Sequence, residues 1–371
     1  MDCKCLPVGS VDGGAGLFEE CLSPTDLAFV AVDGGDTFTV GVLADSGEVV
    51  GWGRAFYGEL PAVEDAEVKK LQVSERCRAV ACGSNHVLAL TDSGRVVAWG
   101  WNASGQATGE EVVGAPAVVK FPTPVQIVQV AAGGMHSLAL DSSGRVWAWG
   151  CNAYGQLGIG SEGETQHLPT RVTLRGEVRV QHVAAGWAHS ALVSTTGGVF
   201  TFGWGLYNQL GHGSTQNELE PAVVDALQGL DSEVVQVACG NWHTAALTAS
   251  GDLYTWGWGK DGQLGHEAAK ATQVLPRVVD VPSAASSDET LDVVSIACGN
   301  RFTLALCRDG SVQYWGHKSL SPGWLRQPGH HVHHLAAGNA HAILLLERAD
   351  KKPNERLTEP LKNTAQPRHV V

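Results

Sequence analysis

Residues 80–100 read VACGSNHVLALTDSGRVVAWG. Three landmarks organise this stretch: Gly83 followed by two variable residues and His86, a turn at Asp92-Ser93-Gly94, and the pair Trp99-Gly100. Leu88 and Leu90, then Val96 and Ala98, alternate with more polar neighbours on either side of the turn. Period-two alternation around a glycine turn is the pattern of a β-hairpin. The turn glycine supplies a positive φ that other residues resist.

The same landmarks recur along the whole chain. The motif glycines are Gly35, Gly83, Gly133, Gly186, Gly240, Gly299 and Gly338, spaced by 48, 50, 53, 54, 59 and 39 residues. His86, His136, His189, His243 and His341 stand three residues after five of them, and Phe38 and Phe302 take that slot in the other two. From motif glycine to turn glycine is 11 residues in five copies and 12 in the first. From turn glycine to the glycine of the aromatic-Gly pair is six residues in all six complete copies, ending at Gly53, Gly100, Gly150, Gly203, Gly257 and Gly316. A spacing held this tightly while the linkers drift marks a structural repeat.

Each copy is a small sheet that cannot bury both faces alone, and sheets stacked around an axis can. The expected fold is therefore all-β: a seven-bladed β-propeller closed by pairing the N-terminal strand with the C-terminal blade. Copies lie near 28–60, 77–109, 127–160, 180–213, 234–266, 293–320 and 332–347. The last copy lacks its turn glycine and aromatic-Gly pair. Residues 5–16, where Val8-Gly9 precedes Gly14 by the usual five-residue step, are expected to complete it. Closure would remove an exposed edge strand. A single propeller domain over 1–347 and a polar tail over 348–371 follow.

Composition narrows the function. The 371 residues carry 25 Lys+Arg against 38 Asp+Glu, a formal charge of -13, and 44% are hydrophobic, enough for a large core. An acidic chain with no basic run lacks the footprint of a direct nucleic-acid binder. No apolar run approaches a bilayer span, and the start Met1-Asp2-Cys3-Lys4-Cys5 has no secretory pattern. Nine cysteines without zinc spacing read as reduced thiols, so a cytoplasmic or nuclear monomer without metal or cofactor is expected. Cys82, Cys239 and Cys298 share one repeat position and read as small packing residues. The tract His330-His331-Val332-His333-His334 precedes a strand and is not read as a metal site. No phosphate-binding loop or nucleophile elbow occurs in a usable context, so no catalytic residue is assigned.

The phrases Gly-x-x-His-(Ser/Thr)-x-x-Leu, the Asp/Ser-Gly turn, Trp-Gly and Gly262-Gln263-Leu264-Gly265 resemble the regulator of chromosome condensation repeat family over roughly residues 5 to 347. The resemblance implies a propeller that serves as an exchange factor, a ligase accessory, a light sensor or a scaffold. It also implies that the variable slots gather on one face around a central channel.

Those slots hold the candidate partner-binding residues Trp187, Trp242, Arg301, Met135, Trp101, Trp204 and Trp258. Trp and Arg are enriched at interface hot spots. For Trp101, Trp204 and Trp258 an interface role and packing on neighbouring blades stand side by side. Trp187 and Trp242 read as interface residues, because their slots hold Asp36, Ser84, Asn241 and Asn300 elsewhere. The recurring histidines read as loop anchors, each bonded within its own blade.

Three functions compete. The first is a non-catalytic adaptor, scaffold or regulatory subunit that binds a protein through one face. The second is a guanine-nucleotide exchange factor for a small GTPase, a chromatin-associated partner being a further possibility. The third is an ultraviolet-B sensor, whose resemblance would require Gly-Trp-Arg-His-Thr in consecutive blades. Here the positions read Gly186-Trp187-Ala188-His189-Ser190, Gly240-Asn241-Trp242-His243-Thr244 and Gly299-Asn300-Arg301-Phe302-Thr303. Trp and Arg never share a copy's pair of slots, so an assembled tryptophan chromophore with its arginine partners is not expected. Partner specificity is expected in the linker Pro282 to Leu291 and after Gly316.

Overall fold

The structure, a computed structural model, describes residues 2–7, 27–61, 68–109, 115–266, 272–282, 290–316, 319–325 and 330–348. Each landmark phrase folds as expected into an antiparallel sheet, as in Cys77–Cys82, His86–Thr91, Val96–Gly100 and Ala117–Val118. Six sheets of this kind, called blades 1 to 6, run over 29–70, 77–118, 127–171, 180–223, 234–279 and 293–325. The turn glycines adopt positive φ, +78° at Gly94 and +82° at Gly144. The fold is an all-β propeller. Among the described residues the only helix is the short 3-10 turn Asp225–Leu227, and none is long and apolar enough to cross a membrane.

Two expectations about the blades change. The second strand of each blade was read as alternating, yet His86–Thr91 is buried at every position. The reason is that neighbours cover both faces of each sheet, so the apolar clusters lie between blades: Phe38, Val40, Cys82 and Val87, for example, fill the seam between blades 1 and 2. The fourth strands fall beyond the motif copies. They are outer edges; those of blades 3, 4 and 5 are half-exposed, blades 3 to 6 carry Pro169, Pro221, Pro276 and Pro322, and blade 1 carries Lys69 and Lys70. Proline and lysine on an edge block further strand pairing.

The closing sheet has three strands among the described residues: His330–Ala337, His341–Arg348 and Asp2–Pro7. The seven equal blades of the sequence reading thus become six four-stranded blades and one three-stranded sheet. The pairing of the chain's extremities is present, but in another register. Pro7 faces His341, where His86 faces Gly100, so Pro7 and not Gly9 holds the aromatic-Gly slot. No tryptophan marks that register in the sequence, and residues 8–16 lie outside the described residues. Ile343 and Leu345 pack with Phe29 and Trp52 of blade 1, and Asn339 N–H donates to the Gly35 carbonyl at 3.0 Å. The histidine tract does not precede a strand; His330 to His334 begin one. Among the described residues no cluster suits a metal.

The histidines bond across the seams, not within blades. His86 Nε2 lies 2.9 Å from Ser137 Oγ of the next blade, as do His136 from Ser190, His189 from Thr244 and His243 from Thr303. Each of these four hydroxyls donates to a glutamine carbonyl, Ser190 to Gln156 at 2.8 Å, so its oxygen is free to accept the imidazole Nε2–H. His341 reaches Thr39 at 3.0 Å and seals the ring. Where the slot is Phe38 or Phe302, the facing residue is Val87 or Ala342, and the pair joins an apolar cluster. Slot and partner thus match at all seven seams. The motif glycine is required beside the ring: a Cβ on Gly133 would collide with the His136 ring and the Gly186 carbonyl.

Burial pushes His86, His136, His189 and His243 down to about 3 and His341 to about 4. The unfolded chain binds these protons near pH 6.5 and the folded chain does not. Their contribution is therefore complete above pH 6.5 and is lost on acidification toward pH 3, at up to about 1.4 kcal/mol per pH unit for each histidine. Asp33, raised to about 7 by burial, and Asp36, raised in the same direction, oppose the trend as two groups against these five. Denaturant midpoints measured from pH 7.5 down to 4.5 should fall steadily below 6.5; a flat profile would contradict the buried neutral imidazoles.

Candidate partner-binding face

After the aromatic-Gly pair the chain turns through a loop pinned by a buried glutamine. Gln156 Oε1 accepts the Tyr154 N–H at 2.9 Å, Gln209 the Tyr207 N–H at 2.8 Å and Gln263 the Asp261 N–H at 3.0 Å. In blade 1, buried Glu59 takes this slot and accepts from Phe56 and Tyr57 N–H. In blades 1 to 5 the residue after the pair is also tied to the motif loop, as Trp258 N–H donates to the Trp242 carbonyl at 2.8 Å. Both sets of variable slots therefore lie at the same end of each sheet.

There the side chains form one aromatic ladder. Tyr154 stacks on Trp204 at 5.1 Å, and Trp204 meets Trp187 at 5.5 Å and Tyr207 at 5.2 Å. Tyr207 continues to Trp258 at 4.8 Å and Trp242 at 5.9 Å. The Arg301 guanidinium lies over Trp242 at 5.1 Å and pairs with Asp261 at 3.6 Å, while Lys260 sits over Trp258 at 4.9 Å. Such cation–π contacts contribute about 0.5–2 kcal/mol depending on exposure.

Five of the seven candidates are thus in one cluster: Trp187, Trp204, Trp242, Trp258 and Arg301. Trp101 stands apart, stacked on Tyr57 at 5.1 Å, and Met135 is half-buried in the motif loop of blade 3. Adjacent blades bring Arg301 onto Trp242, although no single copy carries both. Trp101, Trp204 and Trp258 each pack on a tyrosine of the preceding blade, which is the packing alternative of the sequence reading. Trp187 is 38% exposed, and Phe56 at 68%, Tyr57 at 49% and Leu206 at 51% stand on the loops after the aromatic-Gly pairs.

Sequence reading missed Tyr57, Tyr154 and Tyr207. Their signal was present: the slot two before the loop Gln or Glu is tyrosine wherever the next blade has tryptophan after its aromatic-Gly pair, and it is Ser104 where the next blade has Cys151. The inner strands enclose a channel of about 290 Å³ whose mouth opens among the motif loops, with Trp187 on its rim. Cys239 and Cys298 are half-buried along it, and burial holds the Cys298 thiol up to about 12.

The RCC1-like domain matches residues 16–287, and the regulator of chromosome condensation (RCC1) repeat matches residues 293–319. The chain belongs to the RCC1 family. It is 35% identical to the ultraviolet-B receptor UVR8 of Arabidopsis thaliana over 319 residues, covering 82% of this chain and 70% of that protein. It is 34% identical to the human E3 ubiquitin-protein ligase HERC2 over 81% of this chain but spans only 6% of that protein. The crystal structure of human WBSCR16 superposes with a TM-score of 0.77 at 24% identity over 93% of this RCC1-family chain and 99% of that one. Yeast RCC1 (Prp20), bound to Kap60, gives 0.76 at 19% over 94% and 89%. These superpositions concern the fold.

The ladder separates packing from exposure. Trp204→Ala, which removes three ring contacts, should destabilise by about 1–3 kcal/mol, and Trp187→Ala by no more than about 1. Chemical denaturation of the two variants measures this, and the reverse order would contradict the assignment.

Proposed function

We propose that this chain is a non-catalytic interaction propeller whose aromatic face binds a protein partner. The closing sheet acts as its seventh blade, and the propeller spans residues 1–347. The supporting observation is the rim itself: Trp187 stands partly in solvent, beside a Trp242 already holding Arg301. Tryptophan and arginine presented on a rigid scaffold are the anchors of interface hot spots. A fold does not fix a function, so the reading rests on these side chains.

Two other activities would use the same face. Exchange on a small GTPase works by holding the GTPase in a nucleotide-poor state and needs no catalytic motif in the propeller. Ultraviolet-B sensing is favoured by the Arg301–Trp242 stack within a six-ring ladder and by likeness to a receptor of that name.

Affinity capture with the full chain and a Trp187→Ala/Trp242→Ala variant tests the main reading. The variant should lose the captured protein while its melting temperature stays within a few degrees of wild type. Unchanged capture, or an unfolded variant, would contradict it. Nucleotide release over a GTPase panel and tryptophan emission under ultraviolet-B separate the other two.

A further inference from the structure

Seven copies of one motif in a single chain act as their own controls, and one copy departs at the channel. The residue two before the motif glycine is alanine in six sheets: Ala81, Ala131, Ala184, Ala238, Ala297 and Ala336. In blade 1 it is Asp33. Its Oδ2 accepts the Cys82 N–H at 2.8 Å, and among the described residues no cation pairs with it. Three positions on, Asp36 stands at the mouth, half-buried and hydrogen-bonded to Ser84, again with no described cation beside it.

The channel is electrically one-sided. Asp33 and Asp36 line it, and among the described residues no lysine or arginine does. His182 and His334 also line it, but burial lowers both below the usual imidazole range, so neither adds positive charge at neutral pH. Burial raises both carboxyls, Asp33 to about 7, as expected of acids without a compensating cation.

A second observation lies beside them. Among the described residues, Asn300 Oδ1 and Asn339 Oδ1 are buried acceptors with no hydrogen-bond partner. Backbone bonds from Asn300 to Asn339 and from Asn339 to Gly35 place these two residues next to Asp36 around the mouth. An orphaned buried acceptor costs about 1–3 kcal/mol unless a donor arrives. Three neighbouring sheets thus present acceptors in one arc, and Trp187 faces them from the rim of blade 4.

We propose that this arc seats the guanidinium group of an arginine carried by the protein partner; the proposal rests on the partner-binding reading above. Guanidinium presents five donors in a plane, which suits acceptors spread over an arc better than the compact ammonium of lysine. The indole at the rim takes the same group by stacking, as Trp242 already takes Arg301. A channel of about 290 Å³ has room for roughly ten waters, more than one arginine side chain displaces. The formal charge of -13 favours approach of a basic segment.

The test uses the full chain and two probes, a tetra-arginine amide and its neutral tetra-citrulline counterpart, with binding read by calorimetry. Wild type should bind the arginine peptide and not the citrulline peptide. Asp33→Asn/Asp36→Asn should weaken binding at least about tenfold. Asparagine keeps an acceptor for Cys82 N–H, and the single Asp36→Asn variant reports on the same arc should the double variant be unstable. Asp292→Asn, which removes an exposed carboxylate paired with Arg308, should bind like wild type. Equal binding by the arc variants, equal binding of citrulline, or no binding by wild type would overturn the seat. If the arc variant still captures the partner that Trp187→Ala/Trp242→Ala loses, the seat is wrong and the face reading stands; if neither variant loses it, the face reading fails.

Discussion

A neutral imidazole buried between two sheets, donating to a hydroxyl of the next, is the contact on which this ring depends. Each blade is too thin to hold a core of its own. Its apolar side chains sit at seams, and a seam needs a polar tie that fixes the angle and height at which two sheets meet. His136 with Ser190, and its counterparts around the ring, supply that tie. Where the imidazole is absent, so is the hydroxyl. Phe38 with Val87 and Phe302 with Ala342 show the seam tolerating a fully apolar pair, while a half-polar one would leave a buried donor unmet.

Much of this was legible because repeats expose what is constant. The hairpins, the turn glycines and the joining of the two chain ends follow from spacing alone. The seam bonds did not, because reading copies one at a time ties each histidine to its own blade. Ser137, Ser190, Thr244 and Thr303 follow the histidine slot in the next copy, so the information lay one repeat away. The aromatic ladder was obscured for the same reason, Tyr154 and Trp204 belonging to different copies. The register of Asp2–Pro7 was misjudged because glycine spacing is a weak marker without an aromatic to anchor it. Outer strands escaped notice because half-exposed, proline-bearing edges show no clean alternation.

Rigidity at the seams connects the fold to the face. The glutamine that pins each loop also gives its carbonyl to the seam hydroxyl, as Gln156 does for Ser190. The same residues thus fix the blade angle and the position of the aromatic ladder. A surface held this way loses little conformational freedom on binding. Trp187, Arg301 and Asp36 occupy variable slots that this frame presents, and Asp33 stands where the other six sheets carry alanine.

A double-mutant cycle at one seam tests the matched-pair claim most directly. Ser190→Ala alone should destabilise by about 1–3 kcal/mol through the stranded His136 Nε2–H. Adding His136→Phe, which recreates the Phe302–Ala342 pairing, should recover enough that the two effects miss additivity by at least about 1 kcal/mol. Strict additivity would contradict the claim that imidazole and hydroxyl hold the ring as a pair.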